Sequence, residues 1–536
     1  MGGPWDAIVV GAGHNGLACA AYLARAGLRP LVVERRPVIG GASVTESPWP
    51  GYRVSTLAYV VSLLRPEVVR ELELARFGYR VSEVAPDYFV PFPDGRHLFV
   101  WAEAERTAAE FARFSAADAR AYPAFDAHLG RMAALLRPLL SVVPPQVGSR
   151  RPGDLADQLR LAWRMRGLGA RGVADLVRLM GQSVADLLDD WFESDAVKAS
   201  LVSQGLIGTY GAPSMPGTAY ILLHHWMGEV GGHLGSWGVV RGGMGAIAEA
   251  LAAAARAKGA EIRTDAPVER ILVEDGRATG VVLASGEELR ARVVVSNAHP
   301  QLTFLRLVDE RELPADFVAA LRRFRSRSGT VKINLALGEL PDFTAVPGRT
   351  VGPQHSGAIE LCPSVAYLER AFDDAKEGRA SEAPYAEGLI PTVYDDSIAP
   401  AGKHQLSLFC QYVPAGWAAE DHRAEVEAFA DRVIAGLTAH APNLAGAIEH
   451  RQVIGPAEME AEYGLVGGNI MHGDLGLEQL FAWRPVPGWA DHRSPIKGLY
   501  QCGAGTHPGG GVMAAPGRNA ARVILADLRG RRRPTG

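Results

Sequence analysis

Residues 6 to 34 constrain this chain more than any other stretch. Asp6-Ala-Ile-Val-Val10 is a short apolar run of strand type, Gly11-Ala12-Gly13-His14-Asn15-Gly16 follows without a spacer, and Leu17 to Ala26 carries an apolar helical pattern. In that order, Gly11 permits the tight turn, Gly13 lets backbone approach a pyrophosphate, and Gly16 lets helix pack close to strand. The helix start then offers unpaired N–H groups and a positive dipole end to the phosphates. A glycine triplet alone is weak evidence. Here a second apolar strand, Pro30 to Val33, ends in Glu34, about 20 residues beyond the glycines, where a carboxylate accepts from the hydroxyls of a ribose.

The chain contains its own control. Gly167-Leu-Gly169-Ala-Arg-Gly172 has the same spacing, but Leu159 to Arg166 before it is a mixed basic and apolar helical pattern, and no acidic residue closes a following strand. One dinucleotide fold is therefore expected, with no second one for NAD(P)H. Beyond Glu34, Arg35 leads into Gly40-Gly41-Ala42-Ser43, a glycine pair past the second strand where bare backbone can run beside a ribityl chain and pyrophosphate.

These motifs resemble the FAD-binding half of the amine oxidase and phytoene desaturase superfamily. The far end strengthens the resemblance: Gly498-Leu-Tyr-Gln-Cys-Gly503-Ala-Gly505-Thr-His507-Pro-Gly-Gly-Gly511-Val512-Met513-Ala-Ala-Pro-Gly-Arg518 is similar to the carotenoid-desaturase C-terminal signature, nearest to the branch named pyridine nucleotide-disulfide oxidoreductase domain-containing protein 2. The resemblance implies FAD as cofactor and a strand, a glycine loop under the flavin and a helix aimed at its pyrimidine edge, where a helix dipole stabilises the anionic reduced ring. It implies adenine contacts at the backbone of Val268 and a pyrophosphate-side position for Asn297. His472, Trp483 and Arg484 become substrate-side candidates, and His507 becomes either a proton-transfer residue or a loop anchor.

The fold expected is α/β: a Rossmann-type, glutathione-reductase-like FAD-binding domain (1–75, 241–305 and 456–536) interleaved with an α+β substrate domain (76–240 and 306–455). In the latter, 76–100 reads as paired strands, 103–140 as helix, 143–154 as a loop and the chain on to about Phe192 as more helix, Thr330 to Leu337 and Leu406 to Tyr412 as strands, and Asp421 to His440 as helix, with 339–400 as long surface loops. The segment Ala199 to Gly228 contains no Asp, Glu, Lys or Arg, yet its glycines and prolines exclude a membrane span. It reads as buried core, as the wall of an apolar substrate passage or a membrane-dipping entrance, or as core and wall together. His224 and His225 at its end read as a structural pair.

Nearly half of the 536 residues are hydrophobic and the net charge is −4, which gives no basis for nucleic-acid binding. Four cysteines, Cys19, Cys362, Cys410 and Cys502, form no close pair in sequence, so a reducing, cytoplasmic setting is expected and disulfide-reductase chemistry is not. No signal peptide is expected from Met1-Gly-Gly-Pro-Trp-Asp6, which has no basic n-region, and no metal-ligand spacing, HExxH, GxSxG or P-loop is present. The basic tail Arg529-Gly-Arg531-Arg532-Arg533 can add about 1 kcal/mol per arginine toward an anionic membrane surface; peripheral membrane contact and a homodimer stay open. Chemistry then falls to the flavin: a dehydrogenase or desaturase drawing hydride from an apolar, isoprenoid or lipid-like substrate, reoxidised by oxygen or quinone. The alternatives are an amine oxidase, an isomerase using reduced FAD, and a protein-binding module that keeps FAD structurally.

Overall fold

The computed structural model describes residues 4–145 and 152–530. The arginines at 531–533 lie outside the described residues.

The first sheet has seven strands. Four of them, Glu261–Arg263, Pro30–Val33, Trp5–Val10 and Glu288–Ser296, lie side by side in parallel; Leu499–Gln501 adds in parallel to the last, and the antiparallel strands Arg277–Leu283 and Val268–Glu274 extend it. Both faces are covered, which is why Pro30–Val33 and the last four residues of Trp5–Val10 are apolar without alternation. On one face, helix His14–Arg25 packs against Gly245–Arg256 and Ala515–Leu528. All three are rich in alanine and glycine, and the approach is close: a Cβ on Gly517 would stand 2.0 Å from the Asn15 carbonyl oxygen. The second glycine triplet sits beside and inside helices, Pro152–Met165 and Gly169–Gly181, and opens no strand-turn-helix.

The second sheet also has seven strands, in the order Ile448–Ile454, Thr330–Leu337, His404–Gln411, Tyr385–Leu389, Ala358–Leu361, Tyr88–Pro91 and His97–Val100. The reading of 339–400 as surface loops is wrong. That segment supplies two inner strands, Ala358–Leu361 and Tyr385–Leu389, and the helix Val365–Lys376. Each strand is fully buried yet carries a glutamate, Glu360 or Glu387, and that buried charge hides the strand pattern from a hydropathy reading.

Period-two alternation explains this sheet. Val331, Ile333, Leu335, Leu337, Leu406, Leu408, Ile359, Leu361 and Ala386 turn to one side and pack on Val426, Phe429, Val433 and Leu437 of the helix Arg423–His440. The opposite face carries Lys332, Asn334, Ser407, Glu360, Glu387 and Gln411, all buried. Water does not cover this polar face. The uncharged segment does: Ser203 and Gln204 donate to Glu360, and the Gln411 amide donates to the carbonyls of Leu206 and Thr209. Helix Ala116–Leu136, capped by the Ser115 hydroxyl, and helix Thr218–Trp226 complete the layer above.

Candidate functional site

An elongated cavity runs between the two sheets, with about 370 Å³ open to water-sized molecules, inside the range of ligand sites. Its first half is backbone. Gly13 forms a parallel bridge with Gly40, and the Gly40 N–H donates to the Ala12 carbonyl at 2.9 Å, so the two glycine segments lie side by side. A Cβ on Gly41 would come within 3.3 Å of the Gly13 Cα, and one on Gly13 within 2.7 Å of the Asn297 amide nitrogen. Gly11 takes a φ of 95°, open to glycine at little cost. Gly16 does not line the cavity; a Cβ there would strike the Gly11 carbonyl oxygen at 2.3 Å, so its role is the close packing of helix on turn.

Glu34 lies 8% exposed on the cavity wall. Its Oε2 accepts from the Ala12 N–H at 2.7 Å and its Oε1 from the Arg36 N–H at 3.0 Å, which fixes the carboxylate while leaving lone pairs for ribose hydroxyls. Helix His14–Arg25 has Gly13 at its N-cap with no side-chain cap, so its first N–H groups remain for an anion. Beside it, His14 Nε2 and His472 Nδ1 are buried without a hydrogen-bond partner among the described residues. Burial holds both rings near pKa 4, His14 being lowered further by His472 and His472 by Arg484. Two orphaned ring nitrogens, an uncapped helix start and a glycine cradle fit the diphosphate of a dinucleotide.

Gly11, Gly13, Asn15, Glu34, Arg35, Gly40, Gly41, Ala42, Val268, Asn297, His472, Gly511 and Val512 all line the cavity. Ala12, Gly16, Ser43, Gly503, Gly505 and Met513 do not, and support it from behind. The Ser43 hydroxyl donates to the Met244 carbonyl at 2.9 Å, and the Met513 carbonyl accepts from the Arg65 N–H at 3.1 Å. A Cβ on Gly503 or Gly505 would meet the Asn297 carbonyl oxygen at 2.4 Å or the Pro300 ring at 2.3 Å. The C-terminal loop reaches the cavity with Val512 at φ 53° and Ala514 at φ 58°, left-handed backbone that costs a β-branched valine of order 1–3 kcal/mol. Helix Ala515–Leu528 starts directly after it without a side-chain cap.

Three of the four catalytic candidates stand elsewhere. Trp483 is 44% exposed and does not line the cavity. Arg484 is fully buried, and its guanidinium donates to the carbonyls of Met471, His472, Gly473, Asp474, Gln479 and Ala504, tying the 471–479 segment to the C-terminal loop. Burial lowers it to about pKa 10, still charged at neutral pH. His507 donates through Nε2 to the Leu139 carbonyl at 2.8 Å, and burial holds its ring near pKa 4, which makes it the loop anchor. His472 alone touches the cavity.

In the second half of the cavity, sequence reading pointed only to the uncharged segment and missed the sheet residues. Ile207, Leu63, Val60, Trp237, Phe409, Ile470 and Met471 make it apolar, with Tyr59, Ser62, His225, Thr330 and Lys332 as polar residues on it. Lys332 Nζ donates to Asn334 Oδ1 at 2.5 Å and Ser407 Oγ at 2.7 Å and lies 5.3 Å from the Tyr59 ring centroid. Burial brings this amine down to about pKa 7. An amine poised there exchanges protons at neutral pH. Its signal in the sequence was one lysine in a strand otherwise free of charge.

The uncharged segment is core over the sheet and, through Ile207 and His225, part of the cavity wall. His225 Nδ1 donates to the Gln204 carbonyl at 2.8 Å. Cys19 and Cys502, far apart in sequence, have their thiols in hydrogen-bond contact across the cofactor layer; both are buried, away from the cavity, and Cys502 is pushed well above the usual thiol range by burial, so neither is a ready nucleophile. Among the described residues no cluster of His, Cys, Asp and Glu has metal-site geometry, and no helix is long and apolar enough to cross a membrane.

Comparison with known proteins agrees with this geometry. The model of the family described as flavin containing amine oxidoreductase matches residues 16–450. The chain is 40% identical to rat (Rattus norvegicus) pyridine nucleotide-disulfide oxidoreductase domain-containing protein 2, over 98% of this chain and 94% of that one. It is 27% identical to the neurosporene-forming phytoene desaturase of Cereibacter sphaeroides, over 97% and 94%. The solved cyclohexylamine oxidase of Brevibacterium oxydans shares the fold with a TM-score of 0.57 at 18% identity, covering 98% of this chain and 100% of that one.

Proposed function

Because the chain belongs to the family of flavin containing amine oxidoreductases, we propose that this FAD-dependent oxidoreductase is a dehydrogenase or desaturase of an apolar, isoprenoid or lipid-like substrate, with oxygen or a quinone as final acceptor. The observation that carries this reading is the cavity lining. Among the described residues Glu34 is the only carboxylate on it, committed to the ribose end, and the far end presents Ile207, Leu63, Phe409, Ile470 and Met471 around an amine. A cationic substrate would meet no counter-charge there, whereas an apolar one gains about 25 cal/mol for each Å² of surface buried.

FAD, when bound, supplies the hydride acceptor. Glu34 would hold the adenosine ribose, and the backbone at Gly13, Gly40 and Gly41, with His14 and His472, would hold the diphosphate. The strained Val512 backbone lines the cavity where the C-terminal loop reaches it. Lys332 Nζ holds or accepts a proton beside the apolar space, and the aromatic and aliphatic walls exclude water.

A second reading, an amine oxidase, has Tyr59, Trp237 and Phe409 in its favour, since aromatic faces attract cations. The deciding measurement is anaerobic: detergent-dispersed lipid extract, simple amines and NADPH are each mixed with the yellow protein and the visible flavin band is followed. Bleaching by the lipid fraction alone supports the desaturase. Bleaching by amines replaces it with the oxidase, and bleaching by NADPH with a reductase or a reduced-flavin isomerase.

Peripheral membrane contact belongs to the same proposal. Leu159, Trp163 and Val177, on helices Pro152–Met165 and Gly169–Gly181, are 70%, 64% and 65% exposed, an apolar face of the kind that lies in a bilayer interface.

A further inference from the structure

The polar face of the second sheet carries two carboxyl groups in contact. Glu360 and Glu387 stand directly opposite each other on the antiparallel strands Ala358–Leu361 and Tyr385–Leu389, both essentially without solvent exposure, and their side chains hydrogen-bond to one another. Two carboxylates cannot do this; a hydrogen bond between them requires a proton. The surrounding donors say where it sits. Both oxygens of Glu387 accept, Oε1 from the Tyr59 hydroxyl and Oε2 from the Gln204 amide at 3.2 Å. Glu360 Oε1 accepts from the Ser203 hydroxyl at 2.9 Å and the same amide at 3.4 Å, while its Oε2 is buried with no donor. Glu360 Oε2 is the oxygen left to carry the proton, and Glu387 is the anion.

This pair is not sealed off. Tyr59 lines the cavity beside Lys332, and the Gln204 carbonyl is held by His225, which lines it too. Of the other titratable groups around the pair, Lys332 on the same face is brought by burial to about pKa 7 and carries a proton part of the time, while the rest are neutral near pH 7. Burial pushes Tyr59, Tyr88, Tyr385 and Cys362 up, and raises Asp87 to about 8. The pair therefore holds one negative charge and one proton site open to the cavity through a single hydroxyl.

We propose that Glu360 and Glu387 are the proton store of the cavity and that Tyr59 is its gate. The inference rests on the oxidoreductase reading. When a substrate C–H bond breaks and its electron pair leaves as hydride to the flavin, the adjacent X–H bond breaks to form the new double bond. The released proton passes to the Tyr59 oxygen as the Tyr59 proton passes to Glu387, so the pair becomes fully protonated. When oxygen or a quinone takes up the hydride equivalent, the stored proton completes its reduction and the pair returns to one charge.

Infrared spectroscopy tests this without a substrate. In cofactor-free protein at pH 7, the spectrum of the wild type minus that of E360Q/E387Q is expected to contain a carboxylic-acid carbonyl band that shifts in D2O; Asp87, present in both, cancels. No such band overturns the store. Should the double variant fail to fold, E360Q and E387Q are each compared with the wild type in the same way. Light-driven reduction of bound FAD with EDTA as donor releases no substrate proton but leaves a negative charge on the ring, which favours uptake of a proton by the pair, so the band is expected to grow in the wild type and to stay unchanged in Tyr59→Phe. A band that is unmoved in the wild type, or moves equally in Y59F, overturns the link to the cavity. Because neither measurement uses a substrate, failure of the apolar-substrate reading leaves both intact.

Discussion

The first sheet meets the cavity with backbone, at Gly11, Gly13, Gly40 and Gly41, whereas the second meets the same cavity with side chains, at Thr330, Lys332 and Phe409. The difference follows from what each half must hold. A diphosphate is recognised by N–H groups and a helix dipole, which any sequence can supply provided that no side chain stands in the way. A reacting bond needs titratable groups at fixed positions in a dry space, and only side chains supply those. Substitutions on the first half should therefore act on FAD retention, and substitutions on the second on turnover with FAD in place.

Arg484 gives the largest expected effect. Replacing it with methionine leaves six carbonyls of two segments without their common donor, which should cost several kcal/mol. Arg484→Met is expected to purify colourless, or not to fold, with FAD absorbance and thermal midpoint as readouts. A yellow variant of normal stability that is slow in flavin reduction would instead return Arg484 to the substrate.

How much of this was legible depends on whether chemistry was written as spacing. The turn at Gly11 to Gly16 and the carboxylate at Glu34 are tied to local backbone geometry, so residue type and distance along the chain betray them. Val268 and Asn297 came through resemblance, not through physics of their own. Lys332 and Ser407 meet because strand register puts Asn334 opposite Ser407, and Glu360 meets Glu387 in the same way. Such pairings are set by register between distant strands and leave no local trace. The burial of the sheet's polar face is equally invisible in the sequence, because alternation ordinarily marks a face toward water. Arg484 and Trp483 are adjacent in sequence, yet one is a buried tie and the other a surface residue.

Lys332→Met sharpens the comparison from the other side. It should retain FAD and fold within about 1 kcal/mol of the parent, because losing two hydrogen bonds is offset by no longer burying an amine. Anaerobic flavin reduction should slow on the order of 10²-fold, the scale of a proton-transfer group. Loss of FAD in this variant would break the division between the halves.

His14 and His472 allow a pH test of the first half. Their folded pKa values, about 4, lie below the unfolded 6.5, so both rings are neutral in the folded protein, and stability falls as pH drops from 6.5 through 4. One such ring accounts for roughly 3 kcal/mol across that window. A bound diphosphate favours the protonated rings and reverses part of this loss. FAD affinity, measured by quenching of its fluorescence, should therefore tighten about tenfold between pH 7 and 5.5. Affinity that is flat or weaker over this range would place the diphosphate away from these rings.

The smallest effect is expected at His507, the histidine that the C-terminal motif singles out. Its ring reaches Leu139 on the helical layer and not the cavity, and Nδ1 has no hydrogen-bond partner among the described residues. A ring held neutral by burial, with its one N–H committed to a carbonyl, has no path to a substrate proton. His507→Asn keeps a donor of similar reach and should lower stability by about 1 kcal/mol, the worth of one imperfectly replaced hydrogen bond. Flavin reduction should stay within about threefold of the parent, far below the 10²-fold expected of a proton-transfer group. A larger fall with FAD fully bound would give the backbone half of the cavity a proton-transfer side chain and end the contrast between the two sheets.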